Sequence, residues 1–133
     1  MRYSLDTNVC IRFVKGRSDR LTQKMHAVPF AQMVICSIVR AEMVCGAMKS
    51  QQAIRTLDEQ QRFLSNFDSL GFDDQAARNF GELRAALERN GTLIGPYDMQ
   101  IAAIAMANDL TLVTHNVKEF SRIQGLKWVD WES

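Results

Sequence analysis

The alternation of short apolar runs with longer helical stretches constrains the fold of this chain more than any other feature of its sequence. The runs at 34–36 and 111–114 consist of consecutive apolar or β-branched residues and are too short for a stable helix, so they predict buried strands. Buried strands that are separated by helices are typical of a parallel sheet with helices on both faces. The sequence therefore predicts an α/β fold.

The predicted elements follow one another with no internal repeat and no linker. Strands are expected at 2–6, 34–36, near Leu70, at 111–114 and at 127–129. Helices are expected at 9–15, 20–27, 38–48, 53–67, 73–90, 95–108 and 117–123. Ser37 and Asp73 are the expected N-caps of two of these helices, and Asn90-Gly91 is an expected C-terminal stop.

The composition fits a single domain over residues 1–133. Of the 133 residues 47% are hydrophobic, which is enough for one core. No apolar run approaches the ~20 residues that span a bilayer, and the first residues lack a signal-peptide stretch, so we expect a cytoplasmic protein with no membrane contact. The three cysteines, Cys10, Cys36 and Cys45, lack the spacing of a zinc site and are expected to be buried, reduced thiols.

Positive charge is concentrated in the first part of the chain. Residues 1–49 contain eight Lys or Arg against three acidic residues, whereas residues 50–133 contain eight against twelve. Five basic side chains lie close together in sequence: Arg12, Lys15, Arg17, Arg20 and Lys24. They could bind phosphates or form a solvated helix face, and charge alone does not decide between the two.

Acidic side chains follow several of the predicted strands. Asp6 ends the first strand, Glu42 lies one turn into the helix after the second, Asp98 lies in the first turn of its helix, and Asn116 and Glu119 follow the strand at 111–114. Ligands of such sheets bind beyond the carboxyl ends of the strands, where these groups would meet. Each acid alone could be a helix cap or a surface residue.

Carboxylates in such a cluster need a reason to be together. Two unpaired carboxylates ~4 Å apart repel by ~4 kcal/mol at an effective dielectric near 20. A divalent cation removes that repulsion, and hard oxygen ligands suit Mg²⁺ or Mn²⁺. The spacing therefore indicates an acidic metal site, and it does not identify a substrate.

Four segments with these residues resemble, in order, the motifs of the PIN-domain toxins of the VapC family. They are Leu5-Asp6-Thr7-Asn8, the stretch 37–46 with its acid before a glycine, the stretch 94–102 (Ile-Gly-Pro-Tyr-Asp-Met-Gln-Ile-Ala), and the stretch 114–126 that begins Thr-His-Asn-Val-Lys-Glu-Phe. The resemblance extends from one end of the chain to the other. Each motif is short, and their ordered set carries the resemblance.

The resemblance implies a three-layer α/β/α PIN-like fold with a mostly parallel central sheet and Mg²⁺- or Mn²⁺-dependent cleavage of structured RNA, often tRNA. It implies that the metal ligands or water activators are Asp6, Glu42 and Asp98. Many members have a fourth acid where Asn116 stands, and this departure moves the fourth catalytic role toward Glu119 or leaves Asn116 to act through its amide or a water. Polar residues that match the family's supporting positions are Thr7, Ser37 and Thr114, with Asn116 beside them.

The resemblance also implies partners: a VapB-type antitoxin that covers the acidic groove, a second copy of the chain in a homodimer, and operator DNA bound only by the toxin–antitoxin complex. RNA would be held by the basic stretch with Arg12, Lys15 and Arg17. Competing candidates for this contact are Arg84, Arg89, Lys118 and Arg122.

Two other classes compete with a ribonuclease. A phosphoacceptor receiver domain also gathers acids around Mg²⁺, but it needs an aspartate after a middle strand and a lysine after a later one, and the middle strands here end near Cys36-Ser37 and Phe72-Asp73. A non-catalytic binding or regulatory module has no need for such an acid cluster. The asparagine at 116 is the main feature in favour of the binding module.

Overall fold

The structure, a computed structural model, describes residues 2–133. Its five strands are β1 (Tyr3–Leu5), β2 (Met33–Cys36), β3 (Asp68–Leu70), β4 (Thr111–Val113) and β5 (Trp128–Val129). They form one sheet in the order β3-β2-β1-β4-β5, and every neighbouring pair is parallel. The predicted strands are confirmed to within two residues at each end.

Seven α-helices connect or follow these strands. They are α1 (Thr7–Val14), α2 (Asp19–Ala27), α3 (Ser37–Lys49), α4 (Ala53–Leu64), α5 (Asp74–Arg89), α6 (Pro96–Ala107) and α7 (Val117–Phe120), and a short 3₁₀ turn at Phe30–Gln32 precedes β2. The helices lie on both faces of the sheet, which confirms the three-layer α/β/α fold. None of the helices in residues 2–133 is long and apolar enough to cross a membrane.

Local signals explain where several helices begin and end. Asp73 is the N-cap of α5, and its Oδ1 accepts a hydrogen bond of 2.9 Å from the amide of Ala76. Gly91 follows α5 with φ +66°, a conformation that a glycine adopts without steric cost. The prediction for Ser37 was wrong: Cys36 is the N-cap residue of α3, and Ser37 is its first helical residue.

Two further expectations need correction. The helix expected at 53–67 ends at Leu64, because the chain turns at 65–67 to enter β3. Cys10 and Cys36 are buried free thiols as predicted, but Cys45 is exposed on α3. Its neighbours in sequence are apolar, and the outer face of α3 carries several of them to the surface, including Val44 and Met48.

The order of the strands determines where a site can form. All four residues of β2 are buried, and α6 is buried on several sides, with Ile101–Ala105 at 0% exposure. β1 lies at the middle of the sheet, with β2 next to it on one side and β4 next to it on the other. A crevice therefore opens at the carboxyl ends of β1, β2 and β4, where the strand order reverses.

Candidate active site

Asp6 lies at the centre of this crevice. It directly follows β1, and its amide donates to the carbonyl of Val113 in β4 at 3.1 Å. It is also the N-cap residue of α1, since its Oδ1 accepts a hydrogen bond of 2.8 Å from the amide of Val9. Its side chain is buried, with 4% of the residue exposed. The cap and the site are therefore built from the same carboxylate.

Thr114 supports Asp6 from the next strand. It follows β4, is fully buried, and its amide donates to the carbonyl of Val129 at 3.0 Å. Its hydroxyl accepts a hydrogen bond of 3.0 Å from the amide of Asn116 and is also hydrogen-bonded to the carboxylate of Asp6. Asn116 begins α7, and its side chain makes no capping bond to that helix.

Glu42 reaches the crevice from α3, which leaves the carboxyl end of β2. The hydroxyl of Thr7 in α1 donates to Oε1 of Glu42 at 2.6 Å, across 35 residues of chain. This short bond to a charged acceptor fixes one carboxylate oxygen and leaves the other free. Ser37 does not reach the acids in the described part of the chain; its hydroxyl donates to the carbonyl of Leu70 at 3.2 Å and ties α3 to β3.

Asp98 enters from the first turn of α6, where Pro96 provides a helical φ at the start of the helix. A side chain at Gly95 would contact Oδ2 of Asp98, since a Cβ there would lie 3.7 Å away. Burial, together with the nearby charges of Glu42 and Glu119, raises the pKa of Asp98 to about 6. The four predicted acids therefore share one electrostatic environment.

The pKa of Asp6 responds to the same cluster. Burial, together with the charges of Asp98 and Glu132, raises this pKa to about 6, and the hydrogen bonds from the Thr114 hydroxyl and the Val9 amide oppose the rise. Near neutral pH the ionised carboxylates of the cluster therefore lower the stability of the folded protein. A cation bound between them would remove this destabilisation.

The donor set fits a hard divalent cation. In residues 2–133, no group of three or more His, Cys, Asp or Glu side chains is arranged closely enough to enclose a metal ion. Mg²⁺ usually keeps several waters and takes only one or two carboxylates directly, so an open arrangement of oxygen donors suits it. The thiols of Cys10 and Cys36 are buried, and burial raises the pKa of each, so they are not competing ligands.

The basic residues predicted to bind RNA have different surroundings. The guanidinium of Arg12 forms a bidentate ion pair with Glu132, with distances of 2.9 Å from Nε and 2.7 Å from Nη2 to Oε1. Arg12 is therefore already engaged within the protein. Lys15 and Arg17, by contrast, are exposed in the turn between α1 and α2.

Sequence reasoning missed two acids at the same edge of the sheet. Asp130 follows β5 and is bound to His115, and Glu132 lies close enough to Asp6 to raise its pKa. The rule that groups meet at the carboxyl ends of strands could have indicated both, since the strand predicted at 127–129 directly precedes them.

The sequence and the structure both match known proteins over nearly the whole chain. The PIN domain model matches residues 3–126. The chain is 38% identical over 131 residues to the tRNA(fMet)-specific endonuclease VapC of Salmonella typhimurium, with 98% of each protein covered.

Two solved structures of VapBC complexes share the fold with a TM-score of 0.92. One is the DNA-bound VapBC of Salmonella typhimurium, at 38% identity with 98% of each chain covered. The other is VapBC2 of Rickettsia felis bound to a DNA fragment from their promoter, at 34% identity with 98% of this chain and 99% of that chain covered. The chain therefore belongs to the PIN-domain family and, within it, to the VapC ribonucleases.

Proposed function

We propose that this protein is the toxin of a VapBC-type toxin–antitoxin system and cleaves structured RNA in a Mg²⁺- or Mn²⁺-dependent reaction. The observation that carries the proposal is the convergence of Asp6 and Asp98, each with a pKa raised to about 6, with Glu42 and Glu119 at the carboxyl edge of a PIN-domain sheet. Such a cluster suits chemistry on a phosphodiester better than binding alone.

A metal ion would be held by the carboxylates of Asp6, Glu42 and Asp98, one or two of them directly and the rest through water that the ion keeps. A bound Mg²⁺ or Mn²⁺ supplies a water of lowered pKa and stabilises charge on the phosphoryl oxygens. The protein holds its own part of this arrangement rigidly. Thr7 fixes one oxygen of Glu42, and the amide of Val9 and the hydroxyl of Thr114 together fix the carboxylate of Asp6.

Glu119 takes the fourth acidic role in this proposal. It is half-buried in α7 and its charge acts on Asp98, so it is the remaining acid of the cluster that could accept a proton from the attacking water. Asn116 then supports the site through its backbone amide on Thr114. Although residue 116 is an asparagine, the site still contains four acids: Asp6, Glu42, Asp98 and Glu119. This number favours an enzyme over a non-catalytic module.

The substrate we propose is tRNA, by analogy with the Salmonella typhimurium relative whose name specifies tRNA(fMet). Lys15 and Arg17 are the better candidates for contacts with RNA phosphates, because both are exposed, whereas Arg12 is paired with Glu132. Among the competing candidates, Arg84 is paired with Glu88. A tRNA substrate would also place the protein in the cytoplasm.

The partners we propose are a VapB-type antitoxin, a second copy of the chain, and operator DNA bound through the toxin–antitoxin complex. The antitoxin is supported by the two structural relatives, both of which are VapBC complexes with DNA. Exposed apolar side chains at Met48 (62%), Ile54 (89%) and Tyr97 (57%) are available to a protein partner, and Tyr97 directly precedes the acid Asp98.

The test is cleavage of unfractionated tRNA by the antitoxin-free protein with Mg²⁺, with Mn²⁺, and with EDTA. Asp98→Asn is compared with Asp74→Asn, because both aspartates lie in the first turn of a helix and only Asp98 belongs to the cluster. We expect discrete fragments that require the metal, disappear in Asp98→Asn, and persist in Asp74→Asn.

Fragments of equal yield in EDTA would contradict the metal requirement. A folded protein that binds metal but leaves tRNA intact would contradict the proposed substrate. Loss of both cleavage and metal binding in a folded protein would favour a non-catalytic binding module instead.

A further inference from the structure

A second pair of side chains bridges two strands at the edge of the sheet that carries the acids. His115 lies two residues beyond β4 and Asp130 directly follows β5. Nδ1 of His115 is 3.0 Å from Oδ2 and 3.2 Å from Oδ1 of Asp130. Neither residue belongs to the four-acid cluster, and the proposed chemistry uses neither of them.

The carboxylate of Asp130 is held in place from both sides. Its side chain is only 9% exposed, and its Oδ1 also accepts a hydrogen bond of 2.9 Å from the amide of Glu132. An ionised carboxylate accepts hydrogen bonds only, so the hydrogen between the two residues is on Nδ1 of His115. The orientation of the imidazole is therefore fixed, and Nε2 is the nitrogen that remains for a ligand.

The imidazole is exposed, whereas its partner is not. The side chain of His115 has 57% of its surface exposed to solvent. The bond to Asp130 is not needed to hold β4 and β5 together, because the amide of Thr114 already donates to the carbonyl of Val129 at 3.0 Å. A buried acid that orients an exposed imidazole is an arrangement suited to contact with a ligand.

The position of His115 in the chain places it at the same edge of the sheet as the acids. The preceding residue, Thr114, is hydrogen-bonded to Asp6, and the following residue, Asn116, donates its amide to Thr114. The strand β4 lies between β1 and β5, so the His115–Asp130 pair lies one strand away from Asp6 along the same edge. An RNA strand seated on the acids would pass this edge.

We propose that His115, oriented by Asp130, contacts the ribose–phosphate backbone of RNA through Nε2 beside the cleaved bond. This inference rests on the proposed function and names a substrate contact within it. A protonated imidazole donates from Nε2 to a phosphate oxygen, and a neutral one accepts at Nε2 from a ribose 2′-hydroxyl. Both groups belong to the RNA backbone, and the experiment distinguishes them.

The first measurement is the steady-state cleavage of tRNA by His115→Ala. The matched control is His26→Ala, the chain's other histidine, which lies exposed on α2 against Phe13. Loss of one substrate hydrogen bond predicts a rise of about tenfold in KM with kcat changed less than about twofold. Asp130→Asn, which frees the imidazole to rotate, is expected to raise KM by a smaller factor.

The second measurement is the binding of fluorescent tRNA in EDTA, which needs no cleavage. We expect weaker binding by His115→Ala than by His26→Ala, with equal melting temperatures for the two variants. A shallower salt dependence in His115→Ala identifies a phosphate contact. A 2′-hydroxyl contact predicts a different result. A single 2′-deoxy substitution in the RNA should then weaken binding to the wild-type protein as much as His115→Ala does, and it should not weaken binding to His115→Ala any further.

The two measurements keep this inference separate from the proposed function. If tRNA is not cleaved but binds in a His115-dependent manner, the inference holds and the proposed function fails. If wild-type protein cleaves tRNA and His115→Ala matches His26→Ala in both KM and tRNA binding, the inference is wrong. Weakened binding of antitoxin alone, with unchanged tRNA binding, would assign the imidazole to a protein contact and would also overturn the inference.

Discussion

At the scale of single residues, Asp6 is the N-cap of α1 and also one of the proposed metal ligands. From its position in the sequence, Asp6 could be either a helix cap or a metal ligand, and the sequence alone treats these two roles as alternatives. In the structure one carboxylate oxygen, Oδ1, caps α1 while burial keeps the pKa of the whole group at about 6. The structural role needs only an acceptor, whereas the proposed role needs the charge.

Substitutions of Asp6 therefore separate stability from activity. Asparagine keeps the acceptor for the amide of Val9 and removes a buried charge, so Asp6→Asn should abolish cleavage while leaving the metal-free protein at least as stable as wild type near pH 7. Asp6→Ala should abolish cleavage and also cost about 1 kcal/mol through loss of the cap. Urea unfolding with EDTA measures both. A large loss of stability in Asp6→Asn would contradict this account of the carboxylate.

Thr7 offers a second test at this scale. Because its hydroxyl holds Oε1 of Glu42 at 2.6 Å, Thr7→Val should release that carboxylate and lower kcat about tenfold while changing stability by about 1 kcal/mol or less. Thr7→Ser keeps the hydroxyl and should restore most of kcat. Equal kcat for the valine and serine variants would show that the bond to Glu42 does not matter for catalysis.

The sequence predicts the positions of the acids better than it predicts the ion pairs around them. The acids Asp6, Glu42 and Asp98 could be predicted because each stands at a strand end or in the first turns of a helix, where position follows from local structure. The engagement of Arg12 by Glu132 could not, since the two are 120 residues apart and only the folded chain brings the last residues onto α1.

At the scale of elements, α3 connects the site to the rest of the fold. Its residue Arg40 points inward and donates to three backbone carbonyls: Ile35 at 3.1 Å, Leu64 at 3.4 Å and Phe67 at 3.0 Å. These bonds join β2 to the turn after α4. The carbonyls that Arg40 binds there belong to the last residue of α4 and to the turn that follows it. The helical periodicity that predicted continuation to 67 contains no information about this distant donor.

Arg40 therefore makes a larger contribution to stability than an ordinary surface arginine. Arg40→Met keeps much of the packing of the side chain but leaves the carbonyls without their donor, so we expect a loss of about 2–4 kcal/mol in the free energy of unfolding. Arg78→Met, which removes only an exposed ion pair on α5, should cost less than about 1 kcal/mol. Similar losses in both variants would contradict the role assigned to Arg40.

At the scale of the whole molecule, the parallel sheet brings distant segments to one edge. The periodicity of the sequence predicts a parallel sheet but not its strand order, because strands of two to four residues carry too little information to select their neighbours. The order β3-β2-β1-β4-β5 is what places Asp6 between the segments that carry Glu42 and Thr114. Because the same edge gathers the acids, we expect the stability of the protein to depend on pH and on divalent metal.

The sign of the pH dependence follows from the pKa values of Asp6 and Asp98. Both are about 6 in the folded protein and are raised from 3.8, so the folded state binds protons more tightly than the unfolded chain between those values. The metal-free protein should therefore lose stability as pH rises from about 4 to about 7, on the order of 2 kcal/mol from buried Asp6 and less from half-exposed Asp98.

Divalent metal should reverse this trend. Mg²⁺ binds ionised carboxylates, so it should raise the melting temperature above about pH 6.5 and lose that effect as pH falls through about 6. Melting curves over this range, with Mg²⁺ and with EDTA, measure both effects. Stability that rises with pH in EDTA would contradict the raised pKa values of the two acids.

The most direct test of the shared acidic site is calorimetric titration of the antitoxin-free protein with Mn²⁺ near neutral pH. Wild-type protein and Asp74→Asn should bind Mn²⁺ with the same affinity, whereas Asp6→Asn and Asp98→Asn should each bind at least about tenfold more weakly, because a lost carboxylate ligand weakens a hard-cation site. Equal Mn²⁺ affinity in all four folded proteins would contradict the claim that Asp6 and Asp98 form one metal site.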